Sequence, residues 1–93
     1  MALTFRDAAS TYDAGRRVLW LSAWDGWKPV RCAVSRDALV DKARLTHAAD
    51  EDLVDIYITH ADEIQRIAAR KYAAKQTEPD GFILVKTADL NRR

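Results

Sequence analysis

The clearest pattern of hydrophobic and polar positions is a hairpin in the first half of the chain. Val18–Trp24 is rich in aliphatic and aromatic residues, and it is followed at once by Asp25-Gly26, a pair typical of hairpin turns. Beyond the turn, Val30, Cys32 and Val34 alternate with Arg31, Ala33 and Ser35, which is the period-two pattern of a strand with one buried face. The sequence therefore predicts two antiparallel strands joined by a tight turn.

Helical periodicity replaces this alternation after residue 35. Ser35 followed by Asp37 is a typical helix start, so we expect a short helix from Arg36 to about Arg44. A connector over Thr46–Asp50 leads to one longer helix capped by Asp50. Its apolar stripe has the spacing of a packed helix and comprises Leu53, Ile56, Tyr57, Ala61, Ile64, Ile67, Ala68 and Tyr72.

Shorter elements are predicted towards the two ends. Leu3–Phe5 indicates a short strand, and Asp7–Arg17 has the composition of a loop. Glu78–Gly81 contains a proline and a glycine in turn order, so Phe82–Val85 is expected to form a further strand. Thr87–Arg93 is expected to be frayed.

The order of these elements, β-β-β-α-α-β, predicts an α+β fold. Two helices would pack on an antiparallel sheet of three to four strands, whose strand order stays open. A hydrophobic content of 48% and a charged content of 31% are those of a globular protein, so we expect the chain to fold. Ninety-three residues are too few for two cores, which predicts a single domain over residues 1–93.

Two alternatives remain for the hairpin register, and they bury different faces. A two-residue turn at Asp25-Gly26 puts Leu21 on the same face as Cys32, whereas a three-residue loop over Trp24–Gly26 puts Trp20 there instead. Either register leaves apolar side chains on both faces of the sheet. We expect both helices on one face, with the N-terminal loop or a second copy of the chain on the other, which predicts a homodimer.

A set of short motifs is spread in a definite order and spacing over nearly the whole chain: Phe5, Tyr12-Asp13, Arg16, Val18, Trp20, Asp25-Gly26, Val30, Cys32, Val34-Ser35, Ala38-Leu39, Ile64, Ala68, Pro79-Asp80-Gly81 and Thr87-Ala88-Asp89-Leu90. In that order and spacing they resemble a family of short bacterial proteins known as domain-of-unknown-function family 1488. The resemblance implies a small stand-alone bacterial protein and supplies no established activity, cofactor or catalytic residue. It favours the register in which Val18 and Trp20 point inward with Val30 and Cys32. An aromatic–glycine pair expected after the first helix is replaced by Lys42-Ala43-Arg44.

Net charge and cysteine content limit which binding partners and which cellular compartment we expect. Fifteen Lys and Arg against fourteen Asp and Glu leave a charge of +1, which gives no overall attraction to nucleic acid or to an anionic membrane. A single cysteine allows no internal disulfide, as is usual in a reducing compartment. The longest apolar stretch, Val18–Leu21, is far shorter than the about 20 residues of a membrane span. We therefore expect a cytoplasmic protein with no membrane partner.

Candidate reactive groups are few. Cys32 lies beside Arg31, which favours a thiolate, but a cysteine in mid-strand is far more often a buried apolar residue. His60 and Glu63 share a helical face, yet a metal site needs at least three ligands, and His47 is expected at the surface. The acidic run Asp50–Asp55 lacks the glycine of a calcium loop and fits the start of a helix. No catalytic residue, metal ligand or cofactor is predicted.

The hairpin tryptophans are the best candidates for a contact surface. Trp20 is expected to be a packing residue, whereas Trp24 and Trp27 lie near the tip and Arg31 lies beside them. A basic helix end offers phosphate contacts through Arg66 and Arg70, the strongest candidates among Arg66, Arg70, Lys71, Lys75, Lys86, Arg92 and Arg93.

These features favour a non-enzymatic module that binds a second copy of itself or a protein partner. The alternative is a binder of single-stranded nucleic acid that uses the hairpin tryptophans and the basic helix end. An enzyme or small-molecule site is the third hypothesis, and it would require a pocket that brings a histidine near Cys32 or a carboxylate.

Overall fold

The predicted hairpin forms the centre of the sheet in the computed structural model, which describes residues 3–5, 11–46 and 48–90. The prediction for His47 and those for residues 91–93 lie outside these residues. Within the described residues, five strands and four helices follow one another along the chain: β1 (Thr4–Phe5), β2 (Thr11–Asp13), β3 (Val18–Asp25), β4 (Lys28–Ser35), α1 (Arg36–Lys42), α2 (Asp52–Thr59), α3 (Ala61–Ala73), β5 (Ile83–Val85) and α4 (Thr87–Leu90).

The predicted α+β class is confirmed, and the sheet is mostly antiparallel. β1 and β2 both pair with one edge of β3, β4 pairs with its other edge, and β5 extends the sheet beside β4. β5 runs parallel to β4, which differs from the fully antiparallel sheet expected from the sequence. The reason is the helical crossover: α1, α2 and α3 carry the chain back to the starting end of β4, so the next strand runs in the same direction.

The hairpin turn lies one residue later than predicted. Asp25 pairs with Lys28, so the two turn residues are Gly26 and Trp27 rather than Asp25 and Gly26. Gly26 adopts a φ of 64°, and a glycine with positive φ at the first turn position is the signature of a type II′ turn. A type II′ turn matches the right-handed twist of the strands. Its first position requires a positive φ, which glycine adopts without strain, so the glycine comes first.

Both predicted registers are therefore wrong in their residue pairs, but one of them assigned the faces correctly. Leu21 pairs with Cys32, as the faces of the two-residue alternative require. Trp20 pairs with Ala33 and lies on the opposite face from Cys32. The three-residue alternative, which the family resemblance favoured, is wrong.

The single long helix predicted after residue 50 is instead two helices that meet at His60. His60 has φ −114° and ψ 20°, outside the helical region, while its backbone N–H still bonds the carbonyls of Ile56 and Tyr57. The two halves pack on different parts of the protein, α2 against α1, and α3 against β5 and α4. Because of the bend at His60, the apolar stripe of α2 can pack against α1 while that of α3 packs against β5 and α4. Tertiary packing therefore explains a helix break at which the sequence has no proline or glycine.

The helix ends agree with the sequence in part. Ser35 caps α1 as predicted, because its Oγ accepts a hydrogen bond from the backbone N–H of Ala38 at 3.1 Å. α1 ends at Lys42, two residues before the predicted end. Asp50 does not cap the second helix, which begins at Asp52 without a side-chain cap. The carboxylate of Asp52 instead accepts from the backbone N–H of Ala49.

Two segments predicted to be irregular contain regular elements. The expected loop over Asp7–Arg17, of which residues 7–10 lie outside the described residues, includes β2, because Tyr12 packs against the core from this strand. The expected frayed end includes α4, whose Leu90 is buried. Both elements owe their order to one side chain that reaches the core, a long-range contact that local composition does not reveal.

All four helices cover the same face of the sheet, which confirms the prediction that the helices share a face. We call this the first face, and it carries Leu19, Leu21, Ala23, Val30, Cys32 and Val34. The buried helical residues packed against it are Ala38, Leu39, Leu53, Ile64, Ala68 and Leu90. None of the described helices is long and apolar enough to cross a membrane.

Candidate interaction surface

The opposite side of the sheet, which we call the second face, is built by the alternate residues of the same strands. Side chains alternate between faces along a strand, so Trp20 and Trp24 of β3 lie on this side together with Arg31 of β4 and Leu84 of β5. None of the buried residues in the described helices packs here. The second face is thus the part of the sheet that the protein's own helices leave open.

Trp20 is fixed at the centre of a small cluster on the second face. Its indole N–H donates to Asp13 Oδ2 at 3.2 Å, and its ring lies 5.1 Å from that of Phe82 at an angle of 60°. The hydrogen bond from Trp20, followed by that from the Arg16 backbone N–H, lowers the pKa of Asp13 below its ordinary value. Trp20 is half-buried, consistent with the packing role that the sequence indicated.

Arg31 lies over this cluster with its charge exposed. The guanidinium carbon is 5.0 Å from the centroid of the Trp20 ring and 5.8 Å from that of Phe82. Among the described residues, Arg31 makes no ion pair, whereas Arg16, which also lies over Phe82, is bound to Asp80 at 2.9 Å. Stacking on aromatic rings therefore holds the Arg31 guanidinium in place and leaves its N–H groups available to a partner's anionic or carbonyl oxygens.

The hairpin tip presents a single large apolar side chain. Trp27, the second residue of the turn, is 87% exposed, and Trp24 is half-buried on the second face opposite Pro29. An indole so exposed has a large apolar area in contact with water, which burial against a partner would remove. Trp24 and Arg31 thus lie on the second face of one hairpin, and Trp27 lies at the tip of the same hairpin.

The basic residues of α3 do not belong to that surface. Arg66 and Arg70 are exposed on a helix that covers the first face, so the sheet separates them from Arg31. The five contact residues suggested by the sequence therefore divide into a hairpin group and a separate helical pair.

Sequence reasoning missed a pocket at the end of the second face that lies farthest from the hairpin tip. The pocket has a volume of about 330 Å³ and is lined by Arg16, Val18, Glu78, Pro79, Asp80, Phe82 and Leu84. All three of its charged residues are held in ion pairs, Arg16 with Asp80 and Glu78 with Lys86, the latter at 3.3 Å. The signal available in the sequence was Phe82, an aromatic residue directly after a proline–glycine turn. The other side of the pocket is formed by Arg16 and Val18, which lie more than 60 positions earlier in the chain.

The cysteine is placed where thiol chemistry is suppressed. Cys32 is completely buried, and burial raises the pKa of its thiol to about 12. His60 lies at the junction of α2 and α3, far along the chain from β4. In the described part of the chain, no three His, Cys, Asp or Glu side chains come together in a group that could hold a metal ion.

These features define a small α+β protein whose sheet carries all four described helices on one face. Residues 3–85 match the family described as "Protein of unknown function (DUF1488)", and the chain belongs to this family. A crystal structure of a protein of unknown function from the same family, from Shewanella loihica PV-4, superposes with a TM-score of 0.82 at 15% sequence identity. The match covers 90% of this chain and 91% of that one, so the two share a fold. No curated protein matches the chain.

Proposed function

We propose that this protein is a non-enzymatic interaction module that associates with a second copy of itself through the second face and the hairpin tip. The observation that carries the proposal is the exposure of Trp27, which is 87% accessible at the end of a sheet whose helices all lie on one side. Tryptophan and arginine are the residues that most often dominate binding energy at protein interfaces.

The chemistry of the surface supports a protein partner. Trp24 and Trp27 supply apolar area, and Arg31 supplies a fixed group of hydrogen-bond donors that no carboxylate of the described residues engages. A central aromatic area bordered by polar groups is the usual composition of a protein–protein contact. Cys32 supports the non-enzymatic part of the proposal, because a buried thiol with a pKa of about 12 is a poor nucleophile at neutral pH.

The arrangement of the rings favours protein over nucleic acid as the partner. Stacking of successive bases requires several exposed rings on one surface, yet the Trp20 ring lies under Arg31 and Phe82 is only 6% exposed. Trp27 is the one largely exposed aromatic ring among the described residues. Arg66 and Arg70, which the nucleic-acid hypothesis needs on the same surface, lie on the other side of the sheet.

Light scattering over a series of protein concentrations tests the proposal, at low and at high salt. We expect a concentration-dependent dimer whose affinity changes little with salt and falls when Trp24 and Trp27 are both replaced by alanine. Ile58→Ala is the matched control, because Ile58 is 63% exposed on α2 and away from the second face. The double variant should lower the melting temperature only slightly, because Trp27 is exposed and Trp24 is half-buried.

Two results would count against the proposal. A strict monomer at millimolar concentration would exclude self-association. Quenching of tryptophan fluorescence by single-stranded DNA or RNA, lost as salt rises, would favour the nucleic-acid alternative.

A further inference from the structure

We infer that the pocket around Phe82 is the binding site for Trp27 of a second copy of the chain. We call it the Phe82 pocket, lined by the residues given above: Arg16, Val18, Glu78, Pro79, Asp80, Phe82 and Leu84. The inference rests on the proposed self-association and specifies which groups make the contact. The site is incomplete in one copy alone, because its occupant comes from the partner.

The chemistry of the Phe82 pocket matches an indole side chain. Val18, Phe82 and Leu84 provide an apolar floor, and Pro79 provides an apolar wall. The carboxylates of Glu78 and Asp80 at the rim are acceptors for the indole N–H, the one polar group that a buried tryptophan must satisfy. A volume of about 330 Å³ lies at the lower end of the range for small-molecule sites, about 300–1,000 Å³, so it suits a single large side chain.

The position of the pocket matches the position of the tip. Val18 lies at the start of β3 and Asp25 at its end, about 23 Å apart at roughly 3.3 Å per residue. A twofold axis that lies in the interface and crosses β3 at right angles reverses the strand direction between the copies. The tip of each copy then lies over the pocket of the other, and the two identical contacts close the dimer.

The same symmetry operation places complementary groups along the rest of the second face. With the axis near Ser22, Trp24 of one copy lies opposite Trp20 of the other, whose ring is already covered by Arg31. The guanidinium of Arg31 then lies close to the partner copy's Trp24, an arrangement that favours a second cation–π contact. A face-to-face arrangement of this kind is the usual way in which two open sheets pack.

Sedimentation equilibrium of the full chain tests this inference with three variants. Trp27→Ala removes the occupant, and Leu84→Glu places a charge in the pocket floor. Pro79→Glu, at an exposed position on the pocket wall, replaces Leu84→Glu if circular dichroism shows that the latter does not fold. Ile58→Ala serves as the control for loss of an exposed apolar side chain outside the contact.

We expect Trp27→Ala and the pocket variant each to weaken dimerisation at least about thirtyfold, and the control to leave it unchanged. An equimolar mixture of the two weakened variants should recover part of the affinity, because the heterodimer keeps one intact tryptophan and one intact pocket. Recovery in the mixture is the result that a merely structural role for either residue would not produce.

The outcomes separate the inference from the proposed function. If the folded pocket variant dimerises like the wild type while the Trp24 and Trp27 double variant does not, the second face is an interface and the Phe82 pocket is not its receptor. If the mixture shows no recovery, the contact is not reciprocal and the inference falls. If the wild type is a strict monomer, the proposed self-association is overturned, and the pocket assignment with it.

Discussion

Lys71 of α3 donates to Asp89 of α4 at 2.8 Å and, with the same ammonium group, to the carbonyl of Leu84 at 2.7 Å. Both side chains of the ion pair are largely shielded from water, with 14% and 22% of their surface exposed. Asp89 also accepts from the backbone N–H of Lys86, which caps the start of α4. The Lys71 ammonium therefore joins the last strand and the last helix to α3, and the Asp89 carboxylate is its partner in the helix.

Replacing this carboxylate should lower the free energy of unfolding. We expect Asp89→Asn to cost about 1–2 kcal/mol, because hydrogen bonds to charged groups contribute more than neutral ones. Chemical denaturation at neutral pH measures the effect. Asp37→Asn is the control, because the Asp37–Arg17 pair is exposed and its loss should change little. Equal losses in both variants would contradict the special role of Asp89.

The same group predicts a loss of stability in acid. Burial raises the pKa of the Asp89 carboxyl, but the hydrogen bonds from Lys71 and Lys86 outweigh it, so the pKa lies below the ordinary value of 3.8. The folded state then binds fewer protons than the unfolded state near that pH. The contribution of Asp89 is present above the unfolded pKa and is lost as pH falls through the folded pKa. Unfolding curves of the wild type and Asp89→Asn should converge below about pH 4.

The ends of α1 and α3 contain residues that glycine should replace with a gain in stability. Arg44 and Lys75 have φ of 59° and 58°, the left-handed conformation that commonly ends a helix. Leu45 bonds back to Val40 in the same way as Gln76 bonds back to Lys71, which completes the same terminating motif in both helices. We expect Arg44→Gly and Lys75→Gly each to stabilise the protein by about 0.5–1 kcal/mol, measured by denaturation.

The control for this prediction lies one residue before Lys75, at the C-cap of α3. Ala74, with φ −86°, does not have a positive φ, so Ala74→Gly should destabilise through the entropy of the unfolded chain. Equal effects of glycine at 74 and 75 would show that backbone conformation does not determine the outcome.

The same preference of a positive φ for glycine predicts that Gly26, in the hairpin turn, should not tolerate a side chain. Gly26 has φ 64° and open space around it, so alanine there meets no clash but a strained backbone. Gly26→Ala should cost about 1 kcal/mol or more in thermal or chemical unfolding. Gly15→Ala is the control, because a Cβ there would make only ordinary contact with Asp13 at 3.4 Å. A neutral Gly26→Ala would argue against the type II′ turn.

The burial of Cys32 predicts an unreactive thiol. The folded protein should resist a thiol reagent at pH 8 and should react fully once unfolded, because the thiol is inaccessible and its pKa is raised to about 12. The raised pKa adds a second consequence. Stability linked to Cys32 is intact below the unfolded value of 9.0 and declines as pH rises towards the folded value. Rapid labelling of the native protein would contradict this placement, and Cys32→Ala should show a smaller alkaline decline than the wild type.

Local signals in the sequence were sufficient to predict those features that depend only on interactions between neighbouring residues. Ser35 reaches an N–H three residues away, so its type and position predict a cap that the structure contains. Asp25-Gly26 predicts a turn for the same reason. Whether Gly26 occupies the first or the second turn position depends on how Asp25 pairs across the strands, and the pair with Lys28 is a property of the whole hairpin.

Contacts between distant segments account for the differences between the predicted and the observed elements. His60 interrupts a helix whose apolar stripe is continuous in sequence, because α2 and α3 pack on different neighbours. β5 became a parallel strand because the helices return the chain to the start of β4. The same distinction holds for the candidate surface. The hairpin tryptophans could be predicted from their positions near a turn. The pocket could not, because Val18 and Phe82, which both line it, are distant in sequence.

The sequence by itself determined the α+β class, the central hairpin, the start of α1 and the presence of apolar side chains on both faces of the sheet. These properties follow from alternation, capping and turn chemistry, which act over a few residues. Only the tertiary structure decided which face the helices cover, how far Trp27 is exposed, and that a pocket lies at the far end of the second face. Those features depend on packing between segments up to 64 positions apart, where no local preference acts.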